Sequence, residues 1–374
     1  MTSPLHQLTA LGQSIWYDNI QRSLLENGGL AKMIAEDAIT GLTSNPSIFD
    51  NAISKSSDYD AALKTLLAEN PTADVKTLYE SLAISDIQAA ADLMRPVYDR
   101  TDGADGYVSL EVAPTLADDT DGTIAEARRL FAAVNRPNLM IKVPATPAGL
   151  PAITALIGEG INVNVTLMFS LQHYDAVSAA YLAGLEKLVA SGGDVRRVAS
   201  VASFFVSRVD TIFDKALETI GTAEALALRG KMGVANAKAA YRRFRQVFGG
   251  ERFAALKARG ARVQRPLWAS TSTKNPAYSD VLYVEELIGA DTVNTMPPKT
   301  IAAFKDHGIA EPRLTQNVDT ALATMDAVAA LGIDYTELTE TLQAQGVKAF
   351  ANAFTDLLDN LAAKRESLLA GIGD

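Results

Sequence analysis

The chain has 374 residues, 48% hydrophobic and 21% charged, close to globular averages, so disordered and fibrous classes are excluded. Thirty-four Lys and Arg against 44 Asp and Glu leave a net charge of −10, which argues against nucleic acid as the main partner. With no cysteine there is no disulfide framework, thiol nucleophile or cysteine-ligated metal, and the three scattered histidines, His6, His173 and His307, lack metal-ligand spacing.

The length suits two or three domains of about 150 residues, or one α/β barrel. The start MTSPLHQLTALG has no basic segment leading into an apolar run, so no signal peptide is read there. The most apolar stretch, around Leu150 to Phe169, is broken by Glu159, Asn162 and Asn164, so no membrane span is predicted and a cytoplasmic location is expected. His6 and His307 read as solvated residues on helices.

Along the chain, Ser3 as N-cap, Pro4 in the first turn, Leu5, Leu8, Leu11 and Gly12 punctuate a short first helix. Eight strand-like segments follow: Ser14–Asp18, Ile39–Thr43, Tyr107–Val112, Leu139–Pro144, Ile161–Thr166, Val198–Phe205, Pro266–Ser270 and Asp291–Thr295. Each is rich in β-branched or aromatic residues and ends in a polar residue or turn former. Helical periodicity separates them, as in Thr123–Val134, where Ile124, Ala127, Leu130 and Phe131 share a face. Two connections are long. The first predicts helices at Asp60–Ala68 and Thr77–Arg95, the second at Ala223–Gly230 and Ala235–Val247. In the second, Lys238, Arg242, Arg243 and Arg245 form a basic cluster, read as a solvated helix face beside acidic neighbours. Asp334–Leu369 reads as one or two long helices packing outside.

Strands alternating with helices imply βαβ units and a parallel sheet, and eight of them imply closure. The expected fold is a (β/α)8 barrel in a single domain, with its core at about residues 14–300 and C-terminal helices at about 315–370. Extra helices are expected in the loops after strands two and six and at both termini. A monomer or homodimer is expected.

Catalytic groups of such barrels sit at the C-terminal ends of strands. There the sequence places Asp18, Thr43-Ser44-Asn45, Glu111, Lys142, Thr166, Ser203 with Arg208, and Ser270 with Lys274. Lys142 is the most informative. Alternation in Leu139-Met140-Ile141-Lys142-Val143-Pro144 sends Leu139, Ile141 and Val143 to the helices and Lys142 inward. An ammonium there loses hydration, and burial favours the neutral amine, which can attack a carbonyl to form a Schiff base. The alternative is a lysine ion-paired to Glu111 or Asp18 across the barrel mouth, and both can hold at once. Schiff-base cleavage of a C–C bond also needs a carboxylate to move a hydroxyl proton and donors to orient a polyol, an inventory that Asp18, Glu111, Asn45, Thr166 and Ser203 supply. No GxxxxGK[ST] or GxGxxG phosphate loop occurs. Arg208 and Lys274, beyond strands six and seven, are the candidate phosphate ligands.

Several segments resemble one family in order. Leu42-Thr43-Ser44-Asn45-Pro46-Ser47-Ile48-Phe49 is similar to the segment after the second strand of transaldolases, and Val108-Ser109-Leu110-Glu111-Val112 to their third strand. Ile141-Lys142-Val143-Pro144-Ala145-Thr146 resembles the Schiff-base lysine strand, Asn164-Val165-Thr166-Leu167-Met168-Phe169-Ser170 the fifth, and Val201 to Arg208 the segment with a serine and a phosphate-binding arginine. The likeness spans roughly residues 10 to 300. Shorter members carry an arginine soon after the seventh strand. The stretch Trp268-Ala269-Ser270-Thr271-Ser272-Thr273-Lys274-Asn275-Pro276 instead resembles longer bacterial members, with Lys274 in that role.

The resemblance implies a class I, metal-free transferase without a cofactor. It would move a dihydroxyacetone unit from sedoheptulose 7-phosphate to glyceraldehyde 3-phosphate, giving erythrose 4-phosphate and fructose 6-phosphate in the pentose phosphate pathway. It assigns Lys142 as nucleophile, Glu111 with Thr166 as holders of a catalytic water, and Asp18 to the proton of the cleaving hydroxyl. Asn45 and Ser203 would hold the dihydroxyacetone moiety and Arg208 the phosphate. The alternatives are an aldolase of the same superfamily that releases free dihydroxyacetone, and a non-catalytic sugar-phosphate-binding barrel.

Overall fold

A computed structural model of the chain describes residues 3–370. Eight parallel strands, β1 (Gln13–Asp18), β2 (Ile39–Thr43), β3 (Val108–Glu111), β4 (Leu139–Pro144), β5 (Val163–Met168), β6 (Ser200–Phe205), β7 (Arg265–Ala269) and β8 (Thr292–Met296), close in sequence order, with β8 pairing back to β1. Each lies within two residues of its predicted bounds, because strand alternation is a local property.

Helix α1 (Pro4–Ala10) precedes the barrel, started by the Ser3 side chain and Pro4 as predicted. Between β1 and β2 lie α2 (Arg22–Glu26) and α3 (Gly29–Glu36), two short helices that the sequence reading left unassigned. The β2–β3 connection holds α4 (Pro46–Ser54), α5 (Asp60–Glu69) and α6 (Val75–Arg100). Single helices α7 (Thr120–Val134), α8 (Gly149–Ile157) and α9 (Leu171–Ala190) follow β3, β4 and β5. After β6 come α10 (Ser207–Ile220), α11 (Ala223–Leu226), α12 (Met232–Phe248) and α13 (Glu251–Lys257), and after β7 only α14 (Leu282–Glu286). The chain closes with α15 (Pro298–His307), α16 (Val318–Ala330) and α17 (Tyr335–Ala370). Among the described residues no helix is long and apolar enough to cross a membrane.

The barrel interior is packed below and polar above. Trp16, Met140, Val201, Leu267 and Val293 fill the lower part. Gly41 is required beside Trp16, since a Cβ there would lie 2.4 Å from the indole nitrogen. The floor is tied by Asp105, which accepts from Ser14 Oγ and from Trp16 Nε1 at 2.8 Å, while Arg265 donates to Ser14 Oγ at 2.6 Å. The interior is thus a filled core rather than a pore, and only its upper end is open to chemistry.

Two expectations need correction. Lys238 is not on a solvated face: it is buried, donating to Glu286 at 2.9 Å and to the Gln316 carbonyl at 3.2 Å. A buried ammonium requires such partners, and they come from segments far along the chain. The neighbouring Arg243 does behave as expected, half-exposed and paired with Asp175.

Nor does the C-terminal stretch pack outside. It forms one helix, α17, whose Gln343 Nε2 donates to the Ala145 and Leu167 carbonyls at 3.0 and 3.1 Å, at the ends of β4 and β5. Gly346 sits so close that a Cβ would meet Leu167 Cδ2 at 2.9 Å. Carbonyls at strand ends have run out of sheet partners, and a buried amide satisfies them. The helix therefore crosses the top of the barrel rather than its flank.

Candidate active site

The upper end of the barrel holds a cavity of about 240 Å³. Asp18, Asn45, Lys142, Thr166, Ser203, Arg208, Ser270 and Lys274 all line it, so the strand-end residues converge as predicted, with one exception. Glu111 borders a separate small cavity of about 20 Å³ behind Lys142, enough for roughly one water, together with Phe49, Tyr79, Glu126 and Phe354. Asn45 borders both cavities.

Lys142 is placed by the register of β3 and β4, which sets it beside Glu111. Its Nζ donates to the Ser44 carbonyl at 3.2 Å and lies 3.8 Å from Glu111 Oε2. Both side chains are more than nine-tenths buried. The ion pair anticipated with Glu111 is thus present, though longer than a hydrogen bond. Burial pushes the Glu111 carboxyl up to about 7, against the opposing pull of Lys142. A carboxyl titrating there can take or give a proton near neutral pH.

The Ser44–Asn45 backbone is shaped by helix capping. Asn45 is the N-cap of α4, its Oδ1 accepting from the Ile48 N–H at 3.0 Å, with Pro46 in the first turn. This fixes the Ser44 carbonyl that Lys142 uses, and leaves the Asn45 amide NH2 as the group open to a ligand. Asp18 is held by Thr43 Oγ1, which donates to it at 2.9 Å.

On β5, Thr166 Oγ1 is buried and unpartnered, as is Glu111 Oε2. Buried polar atoms without partners are rare, and in a cavity they mark where a ligand or water supplies the missing bond. Leu167, directly after Thr166, has φ +61°, and β5 shifts register against β6 there. Such backbone is uncommon outside glycine and often borders functional residues. Sequence reasoning missed Asn164 as a site residue. It donates to Ser109 Oγ at 3.0 Å and accepts from Ser203 Oγ at 2.7 Å, orienting that hydroxyl. The Asn164-Val165-Thr166 alternation, which puts Asn164 on the same face as Thr166, was the available signal.

The far side of the cavity is cationic. Among the described residues Arg208 has no hydrogen-bond or ion-pair partner; its guanidinium stands 5.2 Å from the Phe205 ring centroid. Burial lowers its pKa, and burial followed by the nearby Arg208 charge lowers that of Lys274. Lys274 Nζ donates to Ser272 Oγ at 2.7 Å, and Ser270, at φ +56°, shares a hydrogen bond with Ser207. Two half-buried cations without a carboxylate between them are costly, and an anion seated there would offset that cost. Phe350, from α17, also lines the cavity and could not be read from local pattern.

Comparison with known proteins agrees with this geometry. The sequence model described as "Transaldolase/Fructose-6-phosphate aldolase" matches residues 15–361. The chain is 54% identical to "Transaldolase" of Thiobacillus denitrificans, over 94% of this chain and 97% of that protein. It is 50% identical to "Transaldolase" of Thermobifida fusca, over 97% and 98%, and 47% identical to "Transaldolase 2" of Streptomyces coelicolor over the full length of both. A match running from the first barrel strand into the last helix, with relatives similar from end to end, makes the chain a member of the transaldolase/fructose-6-phosphate aldolase family.

Proposed function

We propose that the protein is a transaldolase that moves a dihydroxyacetone unit between sugar phosphates through a Schiff base on Lys142. The supporting observation is the pairing of a buried amine, 3.8 Å from a carboxyl titrating near 7, with two unpaired cations on the same cavity. An amine that attacks a ketose carbonyl and an anion cradle that holds the phosphate are the two things such a substrate needs.

The ketose enters with its phosphate on Arg208 and Lys274, aided by Ser270. Lys142 Nζ adds to the carbonyl carbon, and the carbinolamine loses water as Glu111 gives and takes protons through a water shared with Thr166. The resulting iminium draws electrons from the adjacent C–C bond. Asp18 removes the proton of the hydroxyl on the cleaving carbon, the bond breaks, and the aldehyde product departs. Asn45 and Ser203 hold the retained three-carbon enamine until an acceptor aldehyde arrives and the sequence reverses.

Borohydride added with fructose 6-phosphate is expected to trap a covalent adduct on Lys142, read by peptide mass spectrometry. Lys142→Ala should give neither adduct nor transfer to erythrose 4-phosphate, while remaining folded by circular dichroism. Wild-type protein that gives neither adduct nor transfer would instead support the sugar-phosphate-binding reading. Rapid release of free dihydroxyacetone without acceptor would support the aldolase reading.

A further inference from the structure

Helix α17 meets both cavities. Phe350 lines the larger one, its ring centroid 5.7 Å from Lys142 Nζ, and Phe354 lines the small cavity behind Glu111. The two phenylalanines are one helical turn apart, on the face that also carries Gln343 and Gly346. That face is anchored by the Gln343 bonds to Ala145 and Leu167 and by the close approach of Gly346 to Leu167. Behind Phe354, Tyr79 packs edge-on at 5.7 Å, and Phe49 packs edge-on against Tyr79 at the same distance. An anchored aromatic row therefore adjoins the Lys142–Glu111 pair, with a sugar-sized space on one side and a water-sized space on the other.

Resting on the transaldolase reading, we propose that Phe350 decides the fate of the three-carbon intermediate by keeping water from the carbon bound to Lys142. After cleavage the enamine has two outcomes. It can add to an acceptor aldehyde. Otherwise the proton held by Asp18 returns to its nucleophilic carbon, giving the iminium of dihydroxyacetone. Water then adds its oxygen to the iminium carbon and passes one proton to the Glu111 carboxylate. The C–N bond of the carbinolamine breaks, that proton goes to the leaving nitrogen, and free dihydroxyacetone leaves. Glu111 is thus as well placed to activate a destructive water as to assist the useful one. What limits hydrolysis is space beside the nitrogen, and Phe350 occupies it. Excluding water from a reactive intermediate is a recognised function of active-site walls.

The test measures, for each variant, free dihydroxyacetone released from fructose 6-phosphate alone, and transfer to erythrose 4-phosphate. Both are normalised to the number of sites that borohydride traps, so inactive protein drops out. Phe350→Ala should raise the release-to-transfer ratio roughly tenfold, whereas Phe350→Leu, which restores most of the bulk, should return it close to wild type. An unchanged ratio in a Phe350→Ala protein that still forms the adduct overturns the inference. So does a parallel fall in release and transfer, which a merely structural side chain would produce. Should Phe350→Ala fail to fold, Phe350→Val reads the same ratio: a smaller rise supports the inference and no rise overturns it. Absence of a wild-type adduct would sink the transaldolase reading itself and is seen before any variant is made.

Discussion

At the scale of single residues the chemistry turns on Glu111. Its burial behind Lys142 raises the carboxyl from the ordinary range to about 7, so it is largely protonated below that pH and a carboxylate above it. Only the carboxylate can accept a proton, so kcat for transfer should rise with pH through a limb near 7. Glu111→Gln should remove that limb and lower kcat by about 10²–10⁴, the usual worth of a general acid–base. A pH–rate profile of the variant that keeps the wild-type limb would assign the titration to another group. Thr166 and Asp18 are placed differently: one carries an unpartnered buried hydroxyl and the other is held by Thr43.

Elements matter where one side chain serves both a helix and the site. Asn45 caps α4 through its carbonyl oxygen and leaves its NH2 for a ligand. The two roles separate by substitution. Asn45→Asp keeps an acceptor at the N-cap, so urea unfolding should stay within about 0.5 kcal/mol of wild type, while kcat/KM falls because the donor is gone. Asn45→Ala loses both, costing about 1 kcal/mol of stability as well as activity. An Asn45→Asp enzyme with wild-type kcat/KM would show that the amide NH2 does not bind substrate. Helix α17 plays a comparable double part. Phe354, Leu357 and Leu361 are buried in the core, while Phe350 reaches the cavity.

On the scale of the whole molecule, barrel closure puts the amine of β4 and the cations beyond β6 and β7 around one cavity. That separation gives a phosphorylated ketose one orientation, with its phosphate held while its carbonyl meets Lys142. Arg208→Ala should therefore lower kcat/KM for phosphorylated donors by about 10², in line with losing a charge-assisted phosphate contact. Borohydride trapping with dihydroxyacetone, which carries no phosphate, should change far less. Equal loss for both ligands in steady-state and trapping assays would place Arg208 in the chemistry rather than in phosphate binding.

Local pattern in the chain determined the eight strands, because alternation and turn formers act over five or six residues. It also placed Lys142 inward and marked the Asn45–Pro46 helix start, since register parity and capping are equally local. The two cavities, and Glu111 on the far side of Lys142 from the larger one, arose only in the closed barrel, where neighbouring strands and helices shape the space between them. The buried pairing of Lys238, the role of Asn164 and the passage of α17 over the mouth were also tertiary decisions. A helix 200 residues beyond Lys142 shows only its own periodicity. What it covers depends on which unpaired strand-end carbonyls and which gap in the packing it meets once the barrel has closed.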